Sequence, residues 1–309
     1  MPWGTDGPSE AELGGTLEVT LSDWADRAHA QGATVILPHL PIPNHETAAM
    51  IATGRADGVE ILQHSPYRLL EYYRYLNGGF RIPVVGGTDR MSAQVPIGLY
   101  RTYVRLPDGL DFDFASWCAG LRAGRTFMSG GPLLEFSLDG AEIGDTVHVE
   151  AGATVTVRAS AQSIFPLAGL QLVMNGRVVA EVPARDAGSV LELEETVTEN
   201  AWFSVRTDDA EAGALRHHDE WQRRVFAHTS PIYVTTGQQW WMYSEETDEY
   251  MRGLIDGGLE YVRRSASRFE PGRVCHHHGE DDHLAYLERP FHQAVEALDQ
   301  RRRRQEDRA

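Results

Sequence analysis

The hydrophobic period changes twice along this chain, and each change forces a change of architecture. From about residue 17 to 128, short apolar runs alternate with helical stretches; from about 131 to 236, apolar and polar residues alternate one by one. From Gly237 onward the helical period returns. Periods of 3.6 and 2.0 bury different faces of the backbone, so neither pattern can continue through the other's fold. The expectation is three regions: an α/β region over 1–130, a β-sandwich over 131–236 and a helical tail over 237–309.

Within the first region, the stretch Leu17 to His29 reads as a helix, with Ser22 placed to cap it. The run ATVILPH is a short buried strand ending at His39, and HETAAMIATG is a helix closed by Gly54. DGVEILQH is a second strand that ends in Glu60 and His64; RLLEYYRYLNGG is helical; RIPVVGGTD is a third strand that stops at Asp89. Strands separated by helices indicate α/β construction, in which the carboxyl ends of the strands line the active site. His39, Glu60, His64 and Asp89 all fall at such ends.

The second region supplies about seven short strands, and Asn175-Gly176 between LQLVM and RVVAEV marks a tight hairpin. That number of strands in so short a stretch argues for an Ig-like sandwich, with a boundary near Gly130-Gly131-Pro132. In the tail, Thr247 to Val262 and HLAYLERPFHQAVEALDQRRRR fit helical faces, with Pro290 expected to kink or break the second. Arg301 to Arg304 reads as a solvated helix end complementing the macrodipole.

Composition removes several chemistries. The chain has no lysine, so all 28 basic side chains are arginine, and lysine Schiff-base, pyridoxal-phosphate and P-loop mechanisms are excluded. A net charge of −17 argues against nucleic acid or an anionic membrane as a partner. No apolar run approaches the ~20 residues that span a bilayer, and the polar, glycine-rich opening lacks a signal-peptide pattern. Cys118 and Cys275 read as reduced thiols, so a cytoplasmic setting is expected.

Histidine and carboxylate chemistry remains. His39, Asp89 and His64 form a hard-ligand set suited to a divalent transition metal (Zn, Mn or Fe), with Glu60 beside them as a candidate acid or base. Each also has a plain structural reading: Asp89 as a turn or cap aspartate, His39 as a satisfied strand-end residue. Cys275 to His278 with Asp281, Asp282 and His283 is a second candidate cluster, from which His277 and His283 are the metal-ligand candidates. Adjacent side chains there point in different directions, so only some of them can share an ion. His217-His218-Asp219 is a weaker case of the same kind. Arg101 and Arg125 are placed to clamp an anionic group or to make structural ion pairs. Ser129-Gly130-Gly131 offers backbone amides to an anion or simply marks a junction. GxSxG, HExxH and GxGxxG are absent.

The segments GGTDRMSAQVPIGLYRTYV, WCAGLRAGRTFMSGGPLLEFSLDG and AHTSPIYV together resemble the C-terminal part of CehA/McbA-type metallohydrolases, a branch of the PHP (polymerase and histidinol phosphatase) superfamily. The resemblance runs from about Asp23 to Val234. It implies a PHP-like distorted α/β barrel with His39 and Asp89 as late metal ligands. The reaction it implies is attack by a metal-activated hydroxide on an ester, carbamate, amide or phosphoester of a small-molecule substrate. Two features depart from that pattern. No His-x-His precedes His29, and the usual Asp-x-His ending is here Asp89-Arg90-Met91. The expectation is a partial barrel in an N-terminally shortened chain, which needs a partner copy in a homo-oligomer or is a poor enzyme alone. The competing expectation is a non-catalytic, degenerate barrel serving as a binding or assembly module. A third reading, a carbohydrate-binding sandwich, rests on Trp240-Trp241, whose simpler role is packing.

Overall fold

The computed structural model describes residues 19–40, 46–61, 66–184, 188–208, 222–266, 278, 280 and 282–308. Over these residues the chain is mixed α and β. The helices are α1 Leu21–Ala30, α2 Glu46–Ala52, α3 Pro66–Asn77, α4 Phe114–Arg122, α5 Glu245–Ala266 and α6 His283–Glu306. Strands β1 Ile36–Leu37, β2 Gly58–Glu60 and β3 Val84–Val85 alternate with the early helices. Then come β4 Arg101–Val104, β5 Thr126–Ser129, β6 Leu133–Leu138, β7 Ala141–Glu142, β8 Thr146–His148 and β9 Ala153–Gln162. The last are β10 Gly169–Met174, β11 Arg177–Pro183, β12 Gly188–Val197, β13 Ala201–Asp208, β14 Ala227–Thr229 and β15 Ile232–Thr235.

The chain divides into two units. The first takes the residues up to Val35, Ile42–Ala56 and everything from Tyr243; the second takes Ile36–Pro41 and Asp57–Met242. The first unit is helical. Thr20 caps α1, its hydroxyl accepting from the Asp23 N–H at 3.1 Å. Ser22, the cap expected from the sequence, is instead buried inside the helix, two residues past the cap position. Its backbone N–H donates to Glu46 Oε1 at 2.7 Å, tying α1 to α2. Five consecutive residues of α2, Thr47 to Ile51, are buried, which a helix this short achieves only when other helices cover it. Helices α5 and α6 are joined by Asp248, buried on α5, which pairs with Arg252 at 2.8 Å and with Arg302 of α6. Arg252 also reaches Asp299 at 2.8 Å. The arginine run is thus more than a solvated helix end, because Arg302 lies opposite a buried carboxylate. Helix α6 continues through Pro290, which is itself buried.

The second unit contains three sheets. In the first, β1, β2 and β3 lie side by side in sequence order and all parallel, with Leu37 opposite Val59 and Glu60 opposite Val85. The second has the order β11-β10-β13-β14-β5-β4, with β15 also on β13 and β8 on β15; the third runs β12-β9-β6-β7. Inward residues of the second and third sheets, among them Leu134, Phe136, Val157, Leu172, Leu191, Phe203 and Val234, make one apolar core. The alternation of β9, in which every second residue from Val155 to Ala161 is buried, is the sequence period made physical. The β10–β11 hairpin turns at Asn175 and Gly176 with φ of 50° and 85°, as a primed two-residue turn requires. Strand β5 pairs with both β4 and β14, so residues before and after Gly130 share a sheet.

Helix α3 is fixed to the larger sheet by polar contacts in an apolar setting. Asn77 Oδ1 accepts from Trp202 Nε1 at 2.8 Å, and Tyr73 Oη lies 2.7 Å from Nε2 of the buried His228. His228 Nδ1 faces the Thr229 carbonyl at 2.7 Å, which can only accept, so Nδ1 carries the proton and Nε2 accepts from Tyr73. Burial pushes the Tyr73 phenol up to about 12, and the nearby Arg206 only partly opposes it. Among the described residues no sheet closes into a barrel, and no helix is long and apolar enough to cross a membrane.

Candidate functional site

The exits of β1, β2 and β3 are the one place where the described strand-end residues converge. His39 lies two residues beyond β1, Glu60 is the last residue of β2, and Asp89 follows the glycine pair after β3. The parallel arrangement turns these three ends the same way. His39 Nδ1 stands 3.0 Å from Glu60 Oε2, and His39 Nε2 stands 3.9 Å from Asp89 Oδ2. The first contact is close but lacks hydrogen-bond alignment. Glu60 Oε2 instead accepts from the His39 backbone N–H at 3.1 Å, leaving the buried Nδ1 without a bond of good geometry. The imidazole thus lies between two carboxylates, Glu60 on its Nδ1 side and Asp89 on its Nε2 side.

Backbone conformation sets this geometry. His39 has φ of 56° and Asp89 φ of 47°, both in the left-handed region that non-glycine residues enter at a cost. Neighbouring hydrogen bonds hold each one. The Leu40 N–H donates to the Glu60 carbonyl at 2.8 Å, fixing the peptide that follows His39. Around Asp89, the Thr88 hydroxyl donates to the Tyr100 carbonyl at 3.0 Å and accepts from the Gly98 N–H at 2.9 Å. One step earlier, the Gly86 N–H donates to Thr102 Oγ1 at 3.1 Å and the same hydroxyl returns to the Gly86 carbonyl at 2.9 Å.

Gly87 makes room for Glu60. A Cβ at Gly87 would stand 1.9 Å from Glu60 Oε1, so the carboxylate occupies the space a side chain would fill. The second glycine of GGTD therefore has a packing reason that the sequence reading did not assign.

Two arginines complete the surroundings, and neither was a sequence candidate. Arg68, in the first turn of α3, donates from Nη1 to the Leu40 carbonyl at 2.9 Å. Burial lowers its pKa, while the Glu60 charge acts to raise it, so its guanidinium lies within electrostatic reach of that carboxylate. Arg223, 1% exposed, donates from Nη1 to the Thr88 carbonyl at 2.6 Å and lies over the Tyr100 ring, 5.7 Å from its centroid. Arg68 had one legible signal: a cation in the first turn opposes the helix dipole and needs a compensating partner. Arg223 had none, since the residue it grips is 135 positions away.

The other candidates distribute as follows. Arg101, on β4, is exposed and lies over the Tyr103 ring at 5.7 Å; its carbonyl is 3.1 Å from where a Cβ on Gly86 would be. Arg125 is 4.0 Å from Asp145. His283 belongs to the helical unit, where its Nδ1 lies 2.9 Å from His278 Nε2 and His278 stacks on Tyr286 at 3.9 Å. Burial, then the charge of Asp23, pushes the Tyr286 phenol up to about 12. His64, His277, Cys275, His276, Asp281 and the His217-His218-Asp219 group lie outside the described residues. Trp240 packs edge-on against Tyr233 at 4.8 Å, in keeping with a packing role.

Metal-ligand geometry can be tested at the strand ends. A separation of 3.9 Å between His39 Nε2 and Asp89 Oδ2 is too long for a hydrogen bond. It lies inside the outer limit for two ligands bonded to one ion at about 2.0–2.2 Å each and about 0.5 Å beyond a tetrahedral pair. A small approach of either side chain would let His39 and Asp89 share one ion. Among the described residues, no group of three or more His, Cys, Asp or Glu side chains is arranged to hold a metal ion.

No protein-family model and no curated protein matches the chain.

Proposed function

We propose that this chain is a metal-dependent hydrolase of the PHP type, built on part of a distorted barrel followed by an Ig-like sandwich. Its substrate is a small ester, carbamate, amide or phosphoester. The observation that carries this reading is the approach of His39 and Asp89, both left-handed, at neighbouring exits of a parallel sheet. Strained non-glycine residues concentrate where function demands them, and strand exits are where α/β folds place their sites. When bound, a divalent ion would supply Lewis-acid activation of substrate and water. His39 Nε2 and Asp89 Oδ2 would hold it. Glu60 would act on His39 through the backbone N–H it accepts, holding the residue at the strand exit with its carboxylate beside Nδ1. Arg101 would meet an anionic part of the substrate as it arrives.

The test is turnover of activated aryl esters, carbamates and phosphate esters with added Zn²⁺ or Mn²⁺, in the parent protein and in Asp89→Asn. Metal-dependent turnover that Asp89→Asn abolishes is the expected result. Equal turnover in both proteins sinks the assignment of Asp89.

A second reading has its own support. Glu60 is occupied by the His39 backbone N–H, and Met91 stands 74% exposed where the family pattern has a histidine. A non-catalytic binding or assembly module would retain such a frame and show no turnover with any of these metals.

A further inference from the structure

We propose that Arg68 and Arg223 are positioning residues that grip the carbonyls beside the two left-handed residues and so hold His39 and Asp89 facing each other. This rests on the reading of His39 and Asp89 as metal ligands.

Both grips are made by an arginine Nη1 on a backbone carbonyl, directly beside Asp89 in one case and one peptide plane removed from His39 in the other. Arg68 Nη1 takes the carbonyl of Leu40, one residue after His39; Arg223 Nη1 takes the carbonyl of Thr88, one residue before Asp89. A non-glycine residue in the left-handed region is disfavoured, so it persists only where its surroundings over-determine it. At Asp89 the gripped carbonyl belongs to the peptide plane whose rotation defines φ of that residue. At His39 both adjacent planes are already fixed, by the His39 N–H on Glu60 Oε2 and the Leu40 N–H on the Glu60 carbonyl. Arg68 fixes the plane after them and ties it to α3.

Guanidinium suits this work because its donors sit in a rigid planar fork. The Arg223 plane is braced by the Tyr100 ring, within the range of cation–π attraction. Arg68 would be poorly placed at a helix start without the opposing carboxylate of Glu60 across the strand end.

Electrostatics and geometry make opposite predictions here, which gives the experiment its power. Removing a cation near the site should tighten Zn²⁺ binding if charge is all that matters. Removing a positioning group should weaken it. The experiment is Zn²⁺ titration by calorimetry on the full chain as the parent, Arg68→Met, Arg68→Lys and Arg223→Lys, with thermal unfolding alongside. Lysine is used at 223 because it keeps a charge at a buried site, where an apolar replacement endangers folding. Arg68→Met is expected to bind Zn²⁺ up to about 10-fold more weakly, the low end of the effect of losing a direct partner of a metal ligand, because Arg68 acts one peptide plane away. Arg68→Lys should recover part of that loss, and Arg223→Lys should fall between. Binding by Arg68→Met as tight as the parent's, or tighter, overturns the proposal. If the parent itself binds no Zn²⁺, the metal reading fails separately. The positioning claim is then read from the amide and imidazole NMR signals of His39 and the amide of Asp89 in Arg68→Met. Broadened or doubled signals support it, and unchanged signals overturn it.

Discussion

Replacing Gly87 by alanine would bring a methyl group to within 1.9 Å of Glu60 Oε1, and the carboxylate would have to leave its place behind His39. The displaced atoms are the end of a flexible side chain, so Gly87→Ala should weaken Zn²⁺ binding with little change in the urea midpoint. Unchanged Zn²⁺ affinity would separate Glu60 from the function of His39. Glu46 offers a second single-residue test, in the helical unit. Desolvation raises its pKa, only partly opposed by hydrogen bonds from the Leu21 and Ser22 backbone. A carboxyl whose folded pKa is raised binds its proton more readily in the native state, so its contribution to stability grows as pH falls through that raised value and is complete below the unfolded value. Glu46→Gln cannot titrate. The stability of the parent relative to Glu46→Gln should therefore rise as pH is lowered from neutral toward 4, measured by denaturant unfolding; a pH-independent difference would contradict the assignment.

Strands and helices were largely legible as periods, because burial imposes period 2 on β9 and the i, i+3, i+4 pattern on α5. Their ends were less so. Thr20 rather than Ser22 caps α1, since both are good caps and only packing chooses between them. Thr20→Ala should cost about 1 kcal/mol of stability by thermal unfolding. The arginine run on α6 looked like solvated charge, and nothing in its spacing indicated that Arg302 would meet Asp248. That carboxylate is buried and accepts from both Arg252 and Arg302, so Asp248→Ala should destabilise by about 2 kcal/mol, discounted for the partial exposure of both arginines. The candidate site was legible only as a set of strand ends. His39, Glu60 and Asp89 stand out by their places after apolar runs, but their distances depend on left-handed backbone at two of them, which histidine and aspartate adopt more often than most residues yet too rarely for residue type to specify it. Arg223 and Thr88 are partners across 135 positions, a distance over which spacing carries no information.

Connectivity ties the two units into one chain, because α2 belongs to the helical unit while the strands on either side of it in sequence, β1 and β2, belong to the other. Helix α2 keeps Thr47 to Ile51 buried, and α6 is its principal cover. A chain ending at Met242 should accordingly expose that face and form soluble aggregates, detected by size exclusion with light scattering; a monodisperse, cooperatively melting product would contradict the architecture described. The absence of lysine excludes lysine chemistry, and histidine, carboxylate and arginine are the groups found at the strand exits. The central claim is that His39 and Asp89 share one divalent ion. Calorimetric titration of the metal-free protein with Zn²⁺ tests it most directly, with Asp89→Asn as the control, since asparagine keeps the shape and tolerates left-handed backbone. Binding of about one equivalent by the parent, lost or weakened about 100-fold in Asp89→Asn, is the predicted result; less than about a tenth of an equivalent in the parent, or equal binding in both proteins, would contradict it.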